Sequence, residues 1–272
     1  MSGLSDADRG QQLSGRLPGP ARRLARRYAD WNWGWRADIA LRYVPVEAAL
    51  RRVGWPAGRA RILDVGCGSK GGLTSYAPVR TVGVDLSFNV GRIRRHPRVT
   101  PVVGSGLALP VGDGTFDVVL CMDTLEHLAP AERTRLVEEL FRAVQPAGLV
   151  ICGAPCGPQA RAAEERLNAE FRARSGRDHP WLAEHLAYEP LSRDGLRDLM
   201  AGAAARRLPK YSLDLVGNTN LALWERLQRE RLLRHLHRPL YRPLWPLLRD
   251  RHRPPVYRQV CIVQGSKRGL RG

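Results

Sequence analysis

One run in the sequence points directly to ligand chemistry by residue type and spacing: Ile62-Leu63-Asp64-Val65-Gly66-Cys67-Gly68-Ser69-Lys70-Gly71-Gly72. An apolar stretch that ends in an acid and close-set glycines reads as a strand turning sharply, with no Cβ between backbone and ligand. Asp85 closes the next β-branched run about 20 residues on, where a carboxylate can accept hydrogen bonds from both hydroxyls of a ribose. Turn and acid together imply a nucleotide-type cofactor. Asp64 narrows the choice, because a carboxylate there repels a pyrophosphate and suits the ammonium of an amino-acid group, which disfavours NAD.

A second set of reactive side chains follows Phe116 to Met122: Asp123, Glu126 and His127. The carboxyl ends of strands form the ligand crevice of parallel sheets. Asp123 and His127 are therefore candidate catalytic groups, as a base or a substrate contact, if the nucleophile arrives protonated. Asp123, Glu126 and His127 could also gather a divalent metal, but the run reads without one and no metal is expected. His179, His185 and Tyr188 lie in a turn-rich piece that should overhang the same crevice, and His185 is a further candidate general base. Cys152 and Cys156 lack a second ligand pair and read as core thiols.

The elements that must position these groups follow from periodicity. Short β-branched runs occur at Arg61 to Val65, Thr81 to Asp85, Thr100 to Val103, Phe116 to Met122 and Leu149 to Ala154, with helical patterns between them. That alternation predicts βαβ units and a parallel sheet. Pro130 to Val144 forms a crossover helix ended by Pro146-Ala147-Gly148. Ser192 caps a helix over Ser192 to Ala205, and two late strands are expected near Arg207 to Val216 and Val256 to Gln264. The fold class is α/β: a Rossmann-like, mostly parallel seven-stranded sheet with helices on both faces, a helical N-terminal preface and helical insertions.

At 272 residues the chain can bury a proper core in one main domain. Its five cysteines are scattered and odd in number, which suits reduced core thiols and a cytoplasmic compartment. No run of about 18 apolar residues suggests a membrane span. The net charge of +18 is nearly all Arg, in a chain also rich in Ala, Leu, Gly and Pro. Such a bias can be compositional, so the charge leaves an anionic partner open.

Further motifs follow in order: Gly114-Thr115-Phe116-Asp117-Val118-Val119, Leu125-Glu126-His127-Leu128 and Val144-Gln145-Pro146-Ala147-Gly148. With them, Arg61 to Pro155 resembles the catalytic core of the class I S-adenosylmethionine-dependent methyltransferases, in the broad type 11 group. The resemblance implies S-adenosyl-L-methionine as cofactor, with Asp64, Gly66 and Gly68 against its methionine end, Asp85 on the ribose hydroxyls and Leu86 beside the adenine. The family's third strand commonly ends in Gly-Asp-Ala, whose Asp meets the adenine amino group. Here Gly104-Ser105-Gly106 stands in its place, and the shorter, uncharged Ser105 must accept that hydrogen bond.

The expected layout is a flexible leader at 1–20, a helical preface at 21–58 and a methyltransferase domain at 59–272, with cap-like insertions at about 157–191 and 218–255. The preface is read as one or two helices broken by Gly34 and Pro45, with Trp31, Trp33 and Trp35 near the pocket or the sheet. The expected reaction is methyl transfer to a small-molecule acceptor, such as a sugar or a lipid-linked metabolite, with oxygen favoured. An RNA methyltransferase is the alternative, although no RNA-binding module is recognisable. A non-catalytic binding protein on the same fold is another. The basic amphipathic stretch 221–248 reads as a cap, or else as a peripheral contact with an anionic membrane. Oligomeric state is left open.

Overall fold

The computed structural model describes residue 20 and residues 37–52, 60–77, 79–94, 96–229 and 254–266. The expected leader apart from residue 20, Trp31, Trp33 and Trp35, and the proline-spaced segment within 230–253 lie outside the described residues.

Seven strands form one sheet: β1 (Ile62–Val65), β2 (Thr81–Asp85), β3 (Val99–Val103), β4 (Phe116–Met122), β5 (Val144–Pro155), β6 (Tyr211–Asn220) and β7 (Val256–Gly265), in the order β3-β2-β1-β4-β5-β7-β6. The first five pair in parallel, and β7 runs antiparallel to both β5 and β6. The sheet is therefore mixed through one reversed strand. β1 is buried throughout and β4 nearly so, as near-continuous apolar runs demand when both faces of a sheet are covered.

Side chains alternate between the two faces, and each face has its own apolar cluster. Leu63, Val65, Val119, Cys121, Val150 and Cys152 point to one side. There they meet α3 (Pro130–Ala143) and α6 (Arg193–Arg207) through Leu136, Leu140, Leu196 and Met200. Ile62, Val118, Leu120, Leu149 and Ile151 point to the other and meet Tyr43, Val46 and Ala49 of α1 (Ala37–Arg52). A third cluster joins α4 (Pro158–Ser175), α5 (Pro180–His185) and α7 (Leu221–Arg229) through Ala163, Leu167, Leu182 and Trp224, with Trp224 stacked on Tyr257 of β7 at 3.7 Å. A four-residue helix, α2 (Val90–Ile93), follows β2 and is capped by Asn89, whose side chain accepts from the Arg92 N–H.

Three local expectations change. Pro45 lies inside α1 without ending it; burial of the surrounding Tyr43, Val44 and Val46 outweighs one missing N–H donor. The crossover helix stops at Ala143, and Val144 is already extended. Pairing shifts from Phe116↔Val144 to Val118↔Leu149, so Gln145 to Gly148 is an irregular stretch inside β5 rather than a turn before it. The sixth strand starts at Tyr211 because α6 continues through Arg207 until Pro209. Ser192 does cap α6, its hydroxyl accepting from the Gly195 N–H at 2.8 Å.

Leu140 is fully buried between α3 and the sheet. Leu140→Ala is expected to cost about 2–5 kcal/mol, read as a lowered midpoint in urea unfolding with an unchanged slope.

Candidate active site

The glycine turn leaves β1 at Gly66, whose N–H donates to the Val84 carbonyl of β2 at 2.8 Å. Gly66 has φ +72°, and a Cβ there would lie 2.2 Å from the Thr124 hydroxyl. Gly68 has φ +63° with open space where a Cβ would stand, and its N–H donates to Asp85 Oδ2 at 2.9 Å. Strand, turn and second acid are thus stitched into one cradle, and both glycines line a cavity of about 800 Å³.

Asp64 lies beneath this turn, buried, its Oδ2 accepting from the Leu73 N–H at 2.8 Å. Burial pushes its carboxyl up to about 7, against the lowering effect of that N–H and of Arg42. Asp85 sits at the end of β2, and among the described residues its Oδ1 receives only a long contact from the Ser87 N–H at 3.4 Å. Leu86 next to it is 74% exposed, an apolar shelf at the expected adenine end. The Ser105 hydroxyl accepts from the Leu107 N–H at 3.1 Å, which fastens its own turn and leaves the O–H free to donate. Gly106 meets α3, since a Cβ there would fall 2.7 Å from Leu136 Cδ1.

Away from the turn, the cavity wall comes from α1, α4, α5, α7 and β7: Phe171, Trp181 and Trp224 supply aromatic surface, and Arg42, Arg174 and Arg258 supply charge. Asp123 also lines it, in left-handed backbone with φ 56° at the end of β4. Both of its oxygens accept from the Arg258 guanidinium, and Arg42 Nε lies 3.0 Å from Oδ2. Burial alone would raise the Asp123 carboxyl, but Arg258 and Arg42 outweigh it and hold the group below the usual carboxylate range. Its geometry is that of a fixed anion rather than a proton acceptor.

His127 and His185 are brought together, rings T-shaped at 4.6 Å, but neither lines the large cavity. His127 ends a short 3₁₀ turn (Leu125–His127), with Nδ1 3.2 Å from Glu184. Burial, then the neighbouring His185, pushes its pKa down, so at neutral pH the ring is uncharged. His185 is buried under Trp181, with ring centroids 4.2 Å apart, and its Nδ1 is 2.7 Å from Glu164. Among the described residues, the imidazole that does line the cavity is His179, at the N-cap of α5. Of Asp123, Glu126 and His127, the last two share a cluster with His185, while Asp123 is turned away to its arginines.

The model of the methyltransferase domain family matches residues 63–152, the segment that carries this cradle. The chain holds a class I S-adenosylmethionine-dependent methyltransferase domain. A Mycolicibacterium smegmatis protein named "Probable S-adenosylmethionine-dependent methyltransferase" is 31% identical over 113 residues, 40% of this chain and 43% of that one. The ubiquinone biosynthesis O-methyltransferase of Xanthomonas campestris pv. campestris is 30% identical over 162 residues, 56% of this chain and 65% of that one. Among solved structures, Haemonchus contortus phosphoethanolamine N-methyltransferase 2 in complex with S-adenosyl-L-methionine has a TM-score of 0.50 at 19% identity, over 82% of this chain and 52% of that one, a likeness of fold. The chain spans less than two thirds of the length of each of these relatives.

The methyltransferase domain's residues fit the cofactor: the space a Cβ would fill at Gly68 is open, and Asp85 keeps acceptor capacity beside it. Arg42 and Arg258 escaped the sequence reading because their partner lies far along the chain, 135 residues away for Arg258. The available signal was a charged residue within the buried, apolar strand Val256 to Val263, which must find a counter-charge. Arg258→Met leaves Asp123 buried with half its partners and is expected to lower stability by about 3–5 kcal/mol. Arg61→Met, at the rim pair with Asp117, should cost under about 1 kcal/mol. Chemical denaturation of the two variants checks the contrast.

Proposed function

We propose that the chain transfers the methyl group of S-adenosyl-L-methionine to a small-molecule acceptor that carries an anionic group, with oxygen as the acceptor atom. The observation that carries this reading is the cavity running on from Gly66 and Gly68. Its described lining includes Lys70, Arg92 and Arg174, besides Arg42 and Arg258, which pair with the one lining acid, Asp123, and Arg229, which pairs with Glu170 and Glu225. A cationic amine acceptor is repelled by such a wall, whereas a phosphate, carboxylate or phenolate is attracted. Phe171, Trp181 and Trp224 offer flat apolar surface for the body of a metabolite.

Methyl transfer is an in-line displacement, so the protein's task is to align acceptor with donor and exclude water. When the cofactor is bound, Asp85 would hold the ribose, Gly66 and Gly68 would admit the methionine arm, and Asp64, buried beneath the turn, would supply the counter-charge to its ammonium. A hydroxyl acceptor needs to lose a proton, and among the described residues His179 is the imidazole that lines the cavity. His127, His185 and Asp123 support this wall from behind and beside it. The compartment in this reading is cytoplasmic; within the described residues no helix is long and apolar enough to cross a membrane.

Calorimetry with S-adenosyl-L-methionine should give saturable binding that Asp85→Ala weakens at least about 10-fold, the scale of a lost charge-assisted hydrogen-bond pair. Absence of binding by the native chain would sink the reading. Asp64 supplies a pH signature. Its folded pKa is raised to about 7, so the carboxyl is protonated below that value and ionised above it. A cofactor ammonium needs the ionised form, so affinity is expected to rise from about pH 6 to about pH 8 and then level, with Asp64→Asn flattening the profile. For the acceptor, a screen for S-adenosylhomocysteine release should favour anionic over cationic compounds. Arg174→Glu should raise KM for an active anionic acceptor with kcat little changed.

A further inference from the structure

Glu126 is 94% buried by its 6% residual exposure, and neither of its carboxylate oxygens has a hydrogen-bond partner among the described residues. A carboxylate so placed is costly unless something compensates it. Its neighbour Arg133 does not: Nε donates to the carbonyls of Leu125 and Leu128, and Nη2 to that of Glu189. Facing Glu126 at 3.6 Å, beyond hydrogen-bond reach, is Nε2 of the buried His185, which is also without a partner. A small pocket of about 20 Å³ lined by Glu126 and His185 adjoins them.

The outward nitrogens of the two histidines are already committed. His185 Nδ1 is 2.7 Å from Glu164, which also accepts from the Tyr257 hydroxyl at 2.7 Å. His127 Nδ1 is 3.2 Å from Glu184. A carboxylate at Nδ1 that leaves Nε2 facing inward is the arrangement that second-shell acids impose on metal-binding histidines. Ligand atoms of Glu126, His127 and His185 lie within 4.8 Å of one another.

We propose that Glu126, His127 and His185 bind one divalent first-row transition-metal ion. Two imidazoles and one carboxylate form a nitrogen–oxygen donor set suited to Zn²⁺, Co²⁺, Fe²⁺ or Mn²⁺ rather than Ca²⁺, and they leave coordination positions for water in the adjoining pocket. The ion supplies the positive charge that Glu126 otherwise lacks. It fastens α5 to the 3₁₀ turn after β4, behind the wall that presents Trp181 and His179 to the acceptor cavity. The site does not depend on the identity of the acceptor or on methyl transfer.

The test uses the full chain, freed of metal by chelator and desalted, then titrated with Co²⁺ and followed by its visible ligand-field absorption and by thermal melting. One equivalent is expected to bind with a rise in Tm. Glu126→Gln and His127→Gln should each weaken binding at least about 100-fold, and Glu164→Gln, which orients His185 without reaching the ion, by about 10–100-fold. Circular dichroism verifies that each variant is folded; if Glu126→Gln is not, the part-exposed His127→Gln decides. No Co²⁺ uptake by the native chain at about 1 mM, a concentration far above that of a built site, overturns the proposal. So does native affinity in the folded variants, which would place the ion on other histidines.

Discussion

Asp123 stands where three separately folded parts of the chain must agree. It ends β4 in left-handed backbone, a conformation uncommon for a residue with a side chain, and so turns its carboxylate toward Arg258 of β7 and Arg42 of α1. Taking these charges out of water costs several kcal/mol per ion unless each is met by well-formed hydrogen bonds. Asp123 without both arginines, or Arg258 without Asp123, is a buried unpaired charge. The requirement reaches further through Asn218 of β6, whose amide donates to the Arg42 carbonyl at 3.2 Å, and through Thr219, whose hydroxyl lies 3.5 Å from Arg258. The reversed strand β7, the edge strand β6 and the helix α1 therefore converge on the end of β4, beside the crevice.

The same interaction sets the electrostatics of the cavity. With Asp123 paired to two guanidinium groups, the described lining carries more basic than acidic side chains. This does not follow from the chain's overall charge of +18, most of which can sit on solvated surface without consequence. It follows from placement: guanidinium groups on α1, α4 and β7 open onto one volume with aromatic walls.

The glycine turn and its link to the second acid were legible in the sequence because their parts are local. A strand, a glycine turn and the end of the next strand are joined by short connections, and Asp85 meets Gly68 17 residues away. Strand periodicity likewise marked all seven strands, since a sheet covered on both faces needs apolar runs. What could not be read was which histidine faces the cavity. His179 and His185 are six positions apart and bracket α5; the N-cap faces the cavity and the last turn faces the core. Only the packing of Trp181 and Leu182 decides that, and sequence spacing alone does not contain it. Pro45 inside α1 and the irregular start of β5 are the same lesson at smaller scale: tertiary burial overrode a local breaker, and strand pairing absorbed a turn motif.

The matched domain, residues 63–152, ends at β5. Much of what shapes the acceptor side lies outside it: α4, α5, α7, β7 and, from the other end, α1. These elements cohere through their own cluster around Tyr257, which stacks on Trp224 and donates to Glu164, which in turn holds His185. A single strand residue thus links the aromatic wall to the buried Glu126–His185 pair. Asp123 and its arginines line the cavity between this wall and the glycine turn. Relatives named for O- and for N-methyl transfer resemble this chain over 56% and 39% of its length. Acceptor chemistry then belongs to the wall itself, where guanidinium groups and aromatic rings share one volume.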